Sequence, residues 1–184
     1  MRILETERLV LKPIEPEDLP FLMNLRWDKD LTQYIIHDPI SMANQQQWYE
    51  KIKNGNNLGL SIFYKESKDD TNPTIIGTIG LFEINYRHQY AKLKSTRLLA
   101  KYQGTGIVFE VLMLLLDYGF NTLNLNKIFG DSFEENTPII TILEKLGFQK
   151  EGLLRNHYFH EGLFKNAVVL GLLREDFNKL KTEL

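Results

Sequence analysis

The sequence predicts an α+β fold built around a mixed sheet, and three observations carry the prediction. Runs rich in β-branched and aromatic residues alternate with apolar or amphipathic stretches of ten residues or more. Strands separated by such helices are joined by crossovers, so part of the sheet is parallel. Short turn signals, a Glu161-Gly162 pair and the polar stretch 65–73 ending in Asn72-Pro73, join their neighbouring strands as antiparallel hairpins instead. The resulting order is β-α-α-β-β-β-α-β-α-β-β.

Each element has a local cause. Residues 8–13 alternate as a first strand. Residues 17–25 form a helix with Pro20 near its first turn, where a missing N–H costs little. Ser41 caps a second helix running to about Lys53, and Asn54-Gly55 stops it. Two strands, 58–64 and 74–81, flank the polar loop. Residues 91–99 then form a strand and 107–121 a mostly apolar helix. Strand 127–133 leads into helix 137–146, which Gly147 closes as a left-handed cap. Strands 152–160 and 166–172 finish the fold around Glu161-Gly162.

The composition is that of one ordinary domain spanning 1–184, because 43% hydrophobic and 25% charged residues argue against disorder. A net charge of −2 argues against a nucleic-acid binder or a polybasic membrane surface. The absence of cysteine excludes disulfides, thiolate metal sites and a thiol nucleophile, and is compatible with a reducing compartment. Glu5, Glu7 and Arg8 interrupt the start, and the longest apolar run is residues 111–116, so neither a leader nor a bilayer span is expected. The expected setting is cytoplasmic, without a metal.

Chemistry concentrates in Tyr102-Gln103-Gly104-Thr105-Gly106-Ile107-Val108, where two glycines lie between a strand and a helix. Glycine has no Cβ, so successive backbone N–H groups can converge into a concave nest. The helix from Ile107 adds unsatisfied amides and the positive end of its dipole, and the whole suits a phosphate or diphosphate. A strand-helix turn that binds nothing carries the same signature. No Lys-Ser or Lys-Thr follows, so this is not a Walker loop, and Phe109 at the third-glycine position argues against a Rossmann fingerprint.

Gln103-Gly104-Thr105-Gly106-Ile107 resembles the R/Q-x-x-G-x-G/A acetyl-CoA signature of the GNAT N-acetyltransferases. Glu135-Asn136-Thr137-Pro138, followed by Ile142-Leu143-Glu144-Lys145-Leu146-Gly147-Phe148, is similar to that family's E-N and L-E-K-L-G-F element. Glu5-Thr6-Glu7-Arg8-Leu9-Val10-Leu11, and the closing hairpin from Glu151-Gly152 to Arg174-Glu175, resemble the RimJ/RimL-type branch. Val108 departs from the usual Gly or Ala, Ile139 from a frequent Ser, and Leu143 from a Tyr acid. Ala91-Lys92-Leu93 lies one residue further from Gln103 than the family's A-E-L, which is the mark of a β-bulge.

The resemblance implies a GNAT fold, a mixed and mostly antiparallel sheet with helices on both faces. It implies acetyl-CoA as cofactor, anchored by Gln103, Gly104, Thr105, Gly106, Ile107 and Val108. Backbone groups at Arg97, Leu98 and Leu99 would pair with the pantetheine arm like an added strand. Asn136 would hydrogen-bond that arm, or serve as a plain helix cap; Lys145 would approach the 3′-phosphate, or remain a solvated lysine. It points toward a homodimer.

Acetyl transfer needs an anchored thioester, a neutral amine and donors for the developing oxyanion. Without cysteine, direct attack in a ternary complex is the expected route. Leu143 leaves the proton for the departing sulfur to another group or water, or coenzyme A leaves as a thiolate, whose pKa near ~8.5 permits it. Glu83 is the candidate base, or a charge that holds the ammonium group. Tyr158, His157 and His160 are further catalytic or substrate candidates. Tyr34 and His37, with Trp27 and Trp48, are placed along the acceptor groove, although Trp48 reads better as core. The acceptor is an amine, a small molecule or a protein N-terminus. Phe82-Glu83-Ile84-Asn85-Tyr86-Arg87-His88 is also similar to a segment of spermidine N-acetyltransferases, yet Asn44-Gln45-Gln46-Gln47 stands where those enzymes carry acidic residues. Nucleotide-linked amino sugars are another alternative, and a non-catalytic acyl-CoA-binding module is the competing class.

Overall fold

The computed structural model describes residues 4–28, 31, 33–34 and 40–183. In chain order its elements are β1 (Leu4–Glu5), β2 (Leu9–Pro13), α1 (Leu19–Trp27), α2 (Met42–Asn54), β3 (Leu58–Tyr64), β4 (Thr74–Asn85) and β5 (Tyr90–Leu98). Then come α3 (Ile107–Asn121), β6 (Lys127–Phe133), α4 (Thr137–Lys145), β7 (Gln149–His160), β8 (Leu163–Leu173) and α5 (Arg174–Glu183). The strands form one sheet in the order β1-β2-β3-β4-β5-β6-β8-β7. Only β5 and β6 pair in parallel, because α3 is the crossover between them; the other neighbours are antiparallel.

Helices cover both faces. On one, Leu112, Leu115, Leu116 and Phe120 of α3 pack with Leu81, Ile128, Leu170 and Leu172 of the sheet. Burial on nearly every side explains why α3 is apolar almost all round. On the other face, Leu22 and Leu25 of α1 meet Tyr49 and Ile52 of α2 over Ile14 and Phe82.

Ser41 caps α2 as its sequence requires, its Oγ accepting the Asn44 N–H at 3.2 Å. Ser41→Ala is expected to lower stability by about 1 kcal/mol, read from urea unfolding. Glu161 and Gly162 have φ of 50° and 80°, as a two-residue hairpin turn needs.

Four differences from the sequence reading have physical causes. A 3-10 turn (Pro16–Asp18) precedes α1, and the helix begins only where Pro20 falls at its first positions. The two-residue β1 adds an edge strand ahead of β2. Strand β4 continues past residue 81 to Asn85 through a bulge, since its register against β5 slips between Phe82 and Asn85. The helix α5 was not expected from its polar composition; its anchor is Phe177, fully buried with its ring 5.2 Å from that of Phe120, and Leu180 packs on the same core.

Candidate active site

Strands β5 and β6 are paired only where Tyr90, Ala91 and Lys92 meet Lys127, Ile128 and Phe129. Beyond that point β5 carries an extra residue against β4, with Thr78 opposite Arg97 but Gly80 opposite Lys94, and Ser95 has a φ of +62°. This is the bulge expected from the long spacing between Ala91 and Gln103. A bulge bends its strand, so β5 turns away from β6. The opening is a cleft of about 360 Å³ lined among others by Lys92, Lys94, Ser95, Asp131, Ser132 and Tyr158.

The paired-glycine turn follows the end of β5. Gly104 and Gly106 have φ of +71° and +83°, a region that L side chains rarely adopt, and Gly106 is the N-cap of α3. A Cβ at Gly104 would meet nothing within 4 Å, and one at Gly106 only Arg8 Nη2 at 3.8 Å, so the turn faces open space. Side chains brace it from behind: Thr105 Oγ1 donates to the Tyr102 carbonyl at 2.6 Å, and Gln103 Nε2 to the Leu98 carbonyl at 3.1 Å. Ile107 is buried and Val108 packs against the same core, so their contribution to an anion is through main-chain amides. Glu110, in the first turn of α3, would oppose an anion there; Arg8 Nε, 2.6 Å from its Oε2, and Thr6 engage it. The sequence reading missed this role for Arg8, because its partner is 102 positions away.

Residues 8–149 match the acetyltransferase (GNAT) domain family. The chain belongs to the GNAT acetyltransferase family. It is 34% identical to the uncharacterized N-acetyltransferase p20 of Bacillus licheniformis, over 96% of this chain and 99% of that one. It is 27% identical to the spermidine N(1)-acetyltransferase of Vibrio cholerae, over 92% and 95% respectively. A crystal structure of spermidine N-acetyltransferase from Vibrio cholerae in complex with CoA and spermine superposes with a TM-score of 0.83 at 27% identity, covering 92% of this chain and 98% of that chain. The fold is therefore the GNAT fold, and the chain is an acetyl-CoA-dependent N-acetyltransferase. The open glycine turn at the head of α3 fits the cofactor's diphosphate.

Around the GNAT cleft the charged groups come in pairs. Asp131 of β6 is engaged by Lys92 of β5 and accepts a hydrogen bond from the Tyr158 hydroxyl. Burial pushes the Asp131 carboxyl up, but the bonds from Lys92 and Tyr158 outweigh it and leave the pKa below the usual range. The same burial and hydrogen bond raise the Tyr158 phenol. Glu83 sits on the β4 bulge at φ +54°, and its Oε1 lies 2.5 Å from Lys94 Nζ. That hydrogen bond lowers the Glu83 pKa. Asp131 and Lys92 escaped sequence reasoning, since nothing local marks a strand Asp that meets a lysine from a parallel neighbour.

The other expected residues divide. A double slip in the β7–β8 register between Leu154 and Tyr158 carries Tyr158 to the cleft. His157 stacks edge-on against Tyr158 at 4.6 Å, and His160 lies 5.4 Å from Phe133. Tyr34 lines the cleft with its ring 6.4 Å from Phe133, whereas His37 lies outside the described residues. Asn136 donates from Nδ2 to Ser132 Oγ at 3.1 Å, at the cleft's edge, and its side chain makes no cap bond to α4. Lys145 is exposed at the far end of α4, about 13 Å along the helix from Asn136. Leu143 is buried in the main core. The Leu99 amide is spent on the Ile76 carbonyl at 2.9 Å, so it bonds toward β4 rather than into the opening. Trp48 packs into the α1–α2 cluster as core, and Trp27 is exposed.

Proposed function

We propose that the acetyl group passes from acetyl-CoA to a primary amine by direct attack in a ternary complex held in the β5–β6 opening. The observation that carries this is an open glycine turn following β5 at the head of α3, together with a cleft along the same strand that is lined by Lys94 and Asp131 and has Glu83 bound to Lys94. Bound acetyl-CoA supplies an activated thioester. The turn from Gln103 to Val108 holds its diphosphate on main-chain amides, while the β5 main chain near Arg97 and Leu98, beyond its last pairing with β6, receives the pantetheine arm and Asn136 supplies a side-chain amide. With no cysteine in the chain, no side-chain thiol takes the acetyl group.

Glu83 holds the incoming ammonium group and accepts its proton through water. Tyr158 keeps its proton, in the hydrogen bond it donates to Asp131, and acts as a positioning residue, so coenzyme A departs as a thiolate. Glu83→Gln is expected to lower kcat/KM about 100-fold with acetyl-CoA affinity unchanged. Turnover equal to the parent would remove Glu83 from the chemistry.

The acceptor follows from charge. Glu83 is paired with Lys94 and Asp131 with Lys92, so the cleft has little net attraction for a polycation. A small-molecule amine or a protein N-terminus, the latter in line with the RimJ/RimL-type motifs, fits better than a polyamine. Spermidine is the second reading, supported by relatives of 27% and 29% identity that carry that name. Thiol release over peptides, polyamines, aminoglycosides and amino sugars decides between them; spermidine as the fastest acceptor would reverse the order.

A further inference from the structure

Burying a cation that meets no carboxylate is expensive, so the places where it happens are informative. Arg97 of β5 pairs with Thr78, which shares a face of β4 with Phe82 and so looks toward α1 and α2. Its side chain is 9% exposed, and its Nε has no hydrogen-bond partner. Burial, with repulsion from Arg26, brings its pKa down to about 10. Arg26, in the last turn of α1, is itself desolvated and lies over the Trp48 ring at 5.0 Å. Among the described residues no ion pair joins either arginine to a carboxylate. One turn before Trp48 on α2, Gln45 is fully buried, and neither Oε1 nor Nε2 has a partner.

The Trp48 ring offsets part of the desolvation of Arg26, but Arg97, buried with an unpartnered Nε beside a second cation, has no such offset unless an anion completes the site. Guanidinium donors match the planar or tetrahedral oxygens of carboxylate and phosphate. We propose that Arg26 and Arg97 form an oxyanion subsite that takes the phosphate or carboxylate group of the acceptor, which is then an amine carrying an anion. Ser95, which lines the acetyl-transfer cleft, is two residues before Arg97, so the two backbone positions are at most about 7 Å apart. A molecule a few bonds long spans that gap. The assignment to the acceptor rests on the acetyl-transfer reading; the anion subsite itself does not.

Thermal unfolding in Tris-chloride, titrated separately with inorganic phosphate and with acetate, tests it on the parent chain, Arg97→Gln and Gly106→Asp. The expected result is a rise in Tm of about 3 °C at roughly ten times Kd with one of the two anions. That rise persists in Gly106→Asp, which disables the glycine turn, and is lost in Arg97→Gln. Phosphate as the stabilising anion assigns a phosphate-bearing amine, and acetate a carboxylate-bearing one. Arg26→Gln serves as the second variant should Arg97→Gln fold poorly. Stabilisation by neither anion, or stabilisation lost in Gly106→Asp and kept in Arg97→Gln, overturns the subsite. The amine panel judges acetyl transfer separately, so the two failures are distinguishable.

Discussion

Gly106→Asp is expected to weaken acetyl-CoA binding at least ~100-fold while the fold stays intact, a loss of about 2.7 kcal/mol. Packing does not produce the effect, because a Cβ at this position meets only Arg8 Nη2 at 3.8 Å. Charge does. The new carboxylate would stand at the N-cap of α3, beside the first-turn amides that are proposed to hold the diphosphate. Any L residue at the +83° φ of Gly106 is strained by about 1–3 kcal/mol, so Tm should fall by a few degrees with the fold retained. Titration calorimetry with acetyl-CoA, beside a thermal melt, separates the two quantities. Unchanged affinity would refute the glycine turn as the anchor.

Asp131→Asn should destabilise the protein by about 3 kcal/mol, at the lower end of the ~3–5 observed when one member of a buried pair is removed. The Asp131 side chain is 10% exposed and that of Lys92 23%, so an amide at 131 leaves a largely buried ammonium without its counter-charge. Tyr158 also loses its carboxylate acceptor. The folded-state pKa of Asp131 is depressed. Its contribution is therefore fully present above the unfolded value of ~3.9 and is lost as pH falls through the folded value. Urea unfolding at neutral pH should show the full difference, and stability curves of parent and variant should converge in acid. A constant gap across that range would mean that the pair does not carry the effect.

The glycine turn was legible because it is local: two glycines between a strand pattern and a helix pattern admit few backbone conformations, and both take positive φ. The same holds for the Ser41 cap, for the apolar α3 and for the bulge, which a one-residue excess in spacing betrayed. Helix α5 was not legible, since its one buried anchor, Phe177, gains its meaning from Phe120, 57 positions earlier in the chain. Asp131 looked like an ordinary polar strand residue, and Arg97 like one more strand cation.

Sequence by itself determined the order of the elements from β2 to β8, the parallel crossover, the glycine turn and the family motifs, because each depends on neighbours within a few residues or on one helical period. Tertiary structure alone decided which charges meet. The Lys92–Asp131–Tyr158 cluster joins three strands, and the charge of Arg26 acts on Arg97 only once α1 has docked on the sheet over β4. Electrostatic pairing depends on distance in space and on the water excluded around it, and neither is set until the sheet is assembled and its helices are docked.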